Sequence, residues 1–283
     1  MPQYKNNHTV PCCVLRQWET VKDNRSGVFQ YDIQKDKINF SESRGSGKFS
    51  FASSNYLYVP SVRNTRVADV ELWLQEGETV LAVALQKWKR EIEGPLFESA
   101  RQEQKFRRSL FALRHRAQPA LEACARSFLN TTHRLREFNF DLSRDLQLLV
   151  LENMVNATLH DTHCFSSYRT MLFIDPTASL MIGDSPFLGD IFGNDSFVSC
   201  LSPRFFIIII KGEGVPEFGY TDLPGEFVRV FNKMVAEHSR QWIVARTEAI
   251  LQDNIPFAKK PKQDDTPNVE LREYLFKPFR FND

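Results

Sequence analysis

The sequence lacks three features that would each point to a particular class of protein. Its longest apolar run, residues 205–210, has six residues, whereas a membrane helix needs roughly 20, and the first residues do not fit a secretory signal peptide. None of the five cysteines belongs to a CxxC pair, which argues against a zinc ribbon. The formal net charge is only +1. We therefore expect a cytoplasmic protein with reduced thiols and no membrane partner, in which any attraction to nucleic acid is local.

Phenylalanine is abundant, with 24 residues, and this predicts an aromatic core. β-Branched and aromatic residues dominate 28–33 and 38–40 on either side of a polar turn, so these segments predict an N-terminal hairpin. Strand patterns return between residues 169 and 211, where 205–210 has the composition of a strand covered on both faces. The expected fold class is α+β, with a mostly antiparallel sheet built from the hairpin and residues 169–211.

A helical block, residues 66–160, is expected to pack on one side of this sheet. Apolar residues recur at helical spacing in three segments, 66–92, 97–133 and 142–159. The second segment is expected to break near Pro119. The block is predicted to be an insertion in a single domain that covers residues 1–254, followed by a polar, proline-rich C-terminal tail at 255–283.

Two carboxylates in the block, Glu71 and Glu78, are seven residues apart and therefore share one face of a helix. Such a pair can bind a divalent metal or take part in acid–base chemistry. The same spacing also fits a solvated helix face with lysine or arginine partners. Both interpretations stay open, and the two residues are secondary candidates for metal ligands.

A strongly basic segment lies between residues 101 and 136. It contains nine lysines and arginines and two acids, Glu103 and Glu122, which gives a local charge of +7. The basic residues are Arg101, Lys105, Arg107, Arg108, Arg114, Arg116, Arg126, Arg134 and Arg136. Such a block predicts a surface for nucleic acid or a nucleotide phosphate. The alternative is a solvated basic helix whose charge is balanced by acids elsewhere in the chain.

The sequence His-Asp-Thr-His-Cys at residues 160–164 brings metal-ligating residue types close together. His160 and His163 can converge on one side of a helix, and cysteine is a soft ligand. Histidine is also favoured at helix C-termini for its interaction with the helix dipole. A divalent metal is therefore a possible cofactor, with these histidines as further secondary candidates, and no other cofactor is indicated.

Four short motifs occur in a characteristic order along the chain. They are Asn-His-Thr-Val-Pro at 7–11, Gly-Asp-Ser-Pro at 183–186, Leu-Ser-Pro at 201–203, and a later helix that carries Asn232. In this order they resemble a bacterial family of unknown function that is known for its N-terminal HYVP motif. The resemblance covers about residues 3–247. It implies a site near the N-terminus, but the family has no settled activity to transfer.

The resemblance also implies that the family's paired helical glutamates fall on Glu71 and Glu78 and that its helical arginine falls on Arg116. The chain departs from the family pattern in several places. Thr9 replaces a tyrosine, Gly183 and Ser185 replace serine and asparagine around the aspartate, and Cys200 replaces a proline. These departures affect the detailed shape of the implied site.

The residue types at these motifs suggest phosphodiester chemistry. His8 is the natural general acid–base near neutral pH, Asp184 would orient it or hold a metal, and Arg116 would neutralise developing negative charge. We predict these three as catalytic residues. The predicted substrate-binding residues are Ser202, Asn232, Arg240, Arg108 and Arg114. Together with the basic segment they predict a nuclease that favours RNA, acting in bacterial defence or toxicity.

A second hypothesis needs no catalysis. The chain would be a nucleic-acid-binding, nucleotide-binding or regulatory module. A His8–Asp184 hydrogen bond would then clamp the N-terminus to the sheet, as buried polar groups commonly do.

Overall fold

The computed structural model describes residues 6–43, 49–55, 58, 61–62, 65–66, 69–90, 94–131, 142–189, 196–211 and 220–259. In chain order its first elements are β1 (Asn6–His8), α1 (Cys12–Leu15), β2 (Thr20–Lys22), β3 (Arg25–Asp32), β4 (Lys37–Glu42), β5 (Ser53–Asn55), β6 (Ser61–Val62) and β7 (Thr65–Arg66). The helical block follows as α2 (Asp69–Arg90), α3 (Ala100–Arg116), α4 (Gln118–Thr131) and α5 (Leu142–Cys164). The remaining elements are β8 (Tyr168–Ile174), β9 (Ile182–Gly183), β10 (Phe187–Gly189), β11 (Phe197–Cys200), β12 (Phe205–Lys211), β13 (Tyr220–Asp222), α6 (Gly225–His238), β14 (Trp242–Ala245) and α7 (Glu248–Ala258).

The fold class is α+β, as predicted. The strands of the C-terminal half form a five-stranded sheet in the order β10-β11-β12-β8-β13. All neighbours are antiparallel except β13, which runs parallel to β8. Strand β12 is buried over most of its length, as its run of phenylalanine and isoleucine predicts.

The N-terminal hairpin belongs to a second sheet, which corrects the prediction of one shared sheet. Strands β3 and β4 pair as predicted, and the chain turns through Asp36 with a positive φ of 51°. The sheet continues from β3 to β14 and then to β9, all antiparallel. Gly27 is required in β3, because a Cβ there would lie 2.5 Å from the carbonyl oxygen of Ser41 on β4.

Strand β9 explains why the chain divides into two sheets. Strand β8 pairs with β12 and β13, and not with β9, the next strand along the chain. The carboxylate of Asp175 accepts hydrogen bonds from the main-chain nitrogens of Thr177 and Ser179, and Ala178 between them has a φ of 54°. This compact turn diverts the chain away from β8, so that β9 reaches β14.

Aromatic side chains join the helical block to the sheet of β8 and β12. The ring of Trp88 on α2 lies 5.2 Å from that of Phe106 on α3 and 6.0 Å from that of Phe205 on β12. The predicted break near Pro119 falls at the boundary between α3 and α4. No helix in the described part of the chain is long and apolar enough to cross a membrane.

The last described helix changes the predicted boundary of the tail. Thr247 caps the start of helix α7, because its hydroxyl accepts a hydrogen bond from the nitrogen of Ile250, and the helix ends at the buried residue Ala258. Beyond it, Lys259 Nζ lies 2.8 Å from Asp36 Oδ2 on the β3–β4 turn. Residues 255–259 therefore belong to the packed body, because the apolar face of α7 continues past residue 254. The rest of the predicted tail, 260–283, lies outside the described residues.

Candidate functional site

Arg116 is the centre of a cluster that holds the start of the chain. Its Nε donates to the carbonyl oxygen of Thr9 at 3.1 Å, and its Nη2 donates to the carbonyl oxygen of His8. The same Nη2 lies 2.8 Å from Glu78 Oε1 on α2. The guanidinium carbon lies 5.4 Å from the ring centroid of Tyr58, whose hydroxyl donates to the carbonyl oxygen of Arg116. Arg116 therefore ties strand β1 to α2 and α3.

The charges of this cluster suit a permanent ion pair rather than a titrating group. Arg116 is 2% exposed. Burial alone would lower its pKa, but Glu78, with smaller contributions from Tyr58 and Glu71, holds that pKa above its ordinary value. Burial, reinforced by the charge of Glu78, raises the pKa of the neighbouring thiol of Cys13 to about 12. The thiol is therefore protonated at neutral pH and is a poor nucleophile.

The predicted glutamate pair is accounted for by the same cluster. Glu78 pairs directly with Arg116, and Glu71 adds to the field at the guanidinium. No group of three or more metal-ligating side chains occurs among the described residues. The Arg116 partnership therefore favours the interpretation in which the two carboxylates balance an arginine.

Asp184 holds the connection between α6 and β14. Its carboxylate accepts hydrogen bonds from the main-chain nitrogens of Arg240 and Gln241, the shortest at 2.9 Å, and its side chain is completely buried. Arg240 enters this contact through its main chain and not through its guanidinium. The adjacent Gly183 explains one departure from the family pattern, because any Cβ there would overlap the hydroxyl of Ser239 at the end of α6.

Ser202 and Asn232 also bind the main chain. The hydroxyl of Ser202 accepts hydrogen bonds from the nitrogens of Arg204 and Phe205 and so shapes the turn before β12. Asn232 on α6 accepts from the nitrogen of Met181 at 2.9 Å and donates to the carbonyl oxygen of Ser179 at 2.8 Å. Both side chains are buried. They fasten loops to the core, which is a structural use of residues predicted to bind substrate.

The structure therefore joins the predicted residues in pairs. The carbonyl oxygen of His8 accepts a hydrogen bond from Arg116, and the carboxylate of Asp184 accepts one from the main-chain nitrogen of Arg240. Where the side chain of a motif residue makes a described hydrogen bond, its partner is a main-chain group. A single catalytic set of His8, Asp184 and Arg116 is not supported by these contacts, and the His8–Asp184 pair stays a prediction.

The basic segment is largely neutralised by nearby carboxylates. Four of its described members pair with acids: Arg107 with Glu103, Arg114 with Asp161, Arg116 with Glu78 and Arg126 with Glu122. Arg134 and Arg136 lie outside the described residues. Arg101, Lys105 and Arg108 have no carboxylate partner within the described chain. Among the described members of the segment, three cations on α3 are therefore left without a carboxylate partner.

Sequence reasoning missed a histidine–aspartate pair at the other side of α3. Nε2 of His115 lies 2.8 Å from Asp161 Oδ2 on α5, and Nη1 of Arg114 lies 3.3 Å from the same oxygen. The side chains of His115 and Asp161 are 20% and 15% exposed. Burial raises the pKa of Asp161, but His115, Arg114 and His160 together hold it below its ordinary value. The position of His115 between two arginines was the signal that could have drawn attention to it.

The predicted metal candidates on α5 lie beside this pair. Nδ1 of His160 is 3.5 Å from Asp161 Oδ1, and its Nε2 is 3.4 Å from the sulfur of Cys164. His163 is exposed at the end of the helix. As noted above, the described residues provide no three-ligand set, so the geometry does not favour a metal here.

Compared with protein-family models, curated proteins and solved structures, the chain matches none. The resemblance to the HYVP-motif family therefore stays a prediction that rests on the four motifs. What the geometry offers for function is the open face of α3 and the His115–Asp161 pair.

Proposed function

We propose that the protein binds nucleic acid through the exposed face of α3, with single-stranded RNA as the preferred partner. The observation that carries this proposal is the set Arg101, Lys105 and Arg108. These residues are spaced by four and three positions, so they share one helix face. Arg101 and Lys105 are exposed and Arg108 is half-buried, and none has a carboxylate partner among the described residues. Three such cations attract consecutive phosphates of a nucleic-acid backbone.

An aromatic ring beside these cations favours a single strand over a duplex. The guanidinium carbon of Arg108 lies 6.0 Å from the ring centroid of Trp73 on α2. Trp73 is half-buried, so part of its ring reaches the surface. Unpaired bases stack on such rings, which stabilises binding by about 1–3 kcal/mol per base. We call the surface formed by Arg101, Lys105, Arg108 and Trp73 the α3 face.

The uses of the predicted catalytic residues support binding rather than cleavage as the main activity. Arg116 and Asp184 are both buried and hydrogen-bonded to main-chain groups. If either side chain moved to reach a substrate, its buried main-chain partners would lose their hydrogen bonds. Each lost partner costs about 1–3 kcal/mol of free energy. This arrangement suits a rigid scaffold that presents the α3 face.

The proposal is tested by fluorescence anisotropy with a labelled single-stranded RNA and the matching duplex. The triple variant Arg101→Gln, Lys105→Gln, Arg108→Gln should weaken RNA binding at least about tenfold at low salt, because it removes three phosphate contacts. The control variant Lys22→Gln, Lys35→Gln, Lys37→Gln removes the same charge from the N-terminal strands and should bind like wild type. Absence of binding by the wild type, or equal loss in both variants, would refute the α3 face.

A second candidate function, RNA cleavage, is favoured by the His115–Asp161–Arg114 geometry. Asp161 would orient the imidazole through Nε2, so that Nδ1 faces away from the carboxylate and serves as the general base. Nδ1 of His115 makes no hydrogen bond to the described part of the chain. Arg114, 38% exposed, would stabilise the developing phosphorane charge. These are the residue types predicted for His8, Asp184 and Arg116, in a different place.

Cleavage is tested by incubating RNA and DNA with the wild type, with and without divalent metal. His115→Ala should abolish any cleavage. His163→Ala removes an exposed histidine from the end of α5 and should leave the rate unchanged. If the wild type cleaves neither nucleic acid, this candidate is eliminated and binding alone remains.

A further inference from the structure

A groove of about 590 Å³ lies between α6, α7 and the turn at residues 177–179. Its two long walls are helix faces. Gly225, Val228, Arg229, Val230, Asn232 and Lys233 line it from α6, and Ile250, Asp253, Asn254 and Phe257 line it from α7. Most members of each set are three or four positions apart, as on one helix face. The groove falls within the usual volume range of small-molecule sites, roughly 300–1,000 Å³.

One part of the groove is suited to an anion. Lys233 is half-buried, has no carboxylate partner among the described residues, and lies 5.4 Å from the ring centroid of Phe257. Arg229 is mostly exposed and shares its charge with Glu226 through contacts of 2.6 and 3.0 Å. Gly225 opens the first turn of α6, where the helix dipole favours negative charge. With one unshared cation, one cation shared with Glu226 and the carboxylate of Asp253 on the α7 wall, this part of the groove fits no more than a single phosphate.

Another part of the groove can only accept hydrogen bonds. The hydroxyls of Thr177 and Ser179 make three short contacts, to Asp175 at 2.6 and 2.9 Å and to each other at 2.7 Å. Both hydroxyls donate their single proton to Asp175, so their oxygens offer lone pairs to a ligand. A ligand that binds here must therefore supply donors.

Asn254 adds an acceptor that the protein itself does not use. It is 8% exposed, and its Nδ2 donates to the carbonyl oxygen of Ile250 at 2.9 Å, which fixes the orientation of the amide. Oδ1 makes no hydrogen bond to the described part of the chain, although Asn254 lines the groove. This oxygen can therefore accept a hydrogen bond from a ligand in the groove.

We propose that this groove binds a nucleoside monophosphate. The phosphate pairs with Lys233 and Arg229, ribose hydroxyls donate to Asn254 Oδ1 and Ser179 Oγ, and the base packs on the apolar wall that includes Val228 and Phe257. Each part of the ligand corresponds to one part of the groove. The site is separate from the α3 face and does not depend on nucleic-acid binding there.

Isothermal titration of the intact protein with adenosine monophosphate, adenosine and inorganic phosphate tests this assignment. Adenosine monophosphate should bind about tenfold or more tightly than either fragment. Lys233→Gln should remove the advantage of the monophosphate over adenosine. Asn254→Ala should weaken both nucleoside ligands by about three- to tenfold. Lys37→Gln, an exposed cation on β4, and the triple variant of the α3 face should bind like wild type.

Three outcomes would overturn the proposal. They are failure of the wild type to bind the monophosphate, equal affinity for inorganic phosphate, and unchanged binding by Lys233→Gln. Loss of binding in the triple variant would move the nucleotide to the α3 face and would also refute the groove. Because Lys233 is only half-buried and has no carboxylate partner among the described residues, Lys233→Gln should keep the wild-type melting temperature, which shows that a loss of affinity is not a loss of folding.

Discussion

Arg116 and His115 are neighbours on α3, but they face different surroundings. Arg116 is 2% exposed and binds the carbonyl oxygens of His8 and Thr9 as well as Glu78. His115 keeps part of its ring at the surface and binds one side-chain carboxylate, that of Asp161. The first residue fixes the path of the chain, whereas the second has a ring nitrogen left for other contacts. Arg116, which was predicted to be catalytic, therefore has the structural role, and His115 does not.

The same contrast separates the other predicted residues. Asp184, Ser202 and Asn232 bind main-chain groups of distant segments. The uncompensated cations of the α3 face have no such structural contacts. Substitutions in the first group should reduce stability, and substitutions in the second group should reduce binding with the fold intact. The predictions below test that division.

The largest effect is expected for Arg116→Ala. The variant leaves the carboxylate of Glu78 and two carbonyl oxygens without their cation, and loss of one partner of a buried ion pair costs about 3–5 kcal/mol. Arg114→Ala, which removes an arginine that is 38% exposed and pairs with Asp161, should cost no more than about 1 kcal/mol. Urea denaturation monitored by circular dichroism measures both. Equal costs would contradict the structural role of Arg116.

A smaller loss is expected for Asp184→Ala. The variant leaves the nitrogens of Arg240 and Gln241 without an acceptor in a buried setting, at a cost of about 1–3 kcal/mol in the free energy of unfolding. Asp253→Ala, which removes an exposed carboxylate from α7, should change stability by less than about 0.5 kcal/mol. Thermal unfolding compares the two variants. A melting temperature for Asp184→Ala equal to that of wild type would show that the clamp is dispensable.

The smallest effect, about 1 kcal/mol, is expected for Asp161→Asn and should depend on pH. His115 and Arg114 hold the folded-state pKa of Asp161 below its ordinary value of 3.8. The stabilisation is therefore complete above that value and is lost as the pH falls through the folded-state pKa. The gap in unfolding free energy between wild type and variant should narrow as the pH falls from 5 towards 2. Asp222→Asn, at an exposed position, should show no such gap.

Local sequence patterns predicted much of the fold. The hairpin of β3 and β4, the helices of the block and the buried strand β12 all follow from short-range periodicity. The division into two sheets could not be predicted in this way, because β14 pairs with β3 from more than 200 residues away in sequence. The turn at Asp175 also contributed, since its hydrogen bonds redirect β9 without any change in apolar pattern.

The sequence located the candidate residues better than it assigned their roles. Arg116 and Asp184 were predicted to be catalytic, but nothing in the local pattern showed that both side chains bind main-chain groups. His115 was missed because its partner, Asp161, lies 46 residues further along the chain. The sequence left open whether acids elsewhere balance the basic segment, and two such acids, Glu78 and Asp161, do pair with its arginines.

The salt dependence of RNA binding tests the role of the α3 face most directly. Each phosphate contact to a single strand contributes about −0.7 to the slope of log affinity against log salt concentration. The slope of the triple variant Arg101→Gln, Lys105→Gln, Arg108→Gln should therefore be shallower than that of the wild type by about 2. The control variant at Lys22, Lys35 and Lys37 should keep the wild-type slope. Identical slopes for the wild type and the triple variant would contradict the assignment of nucleic-acid binding to α3.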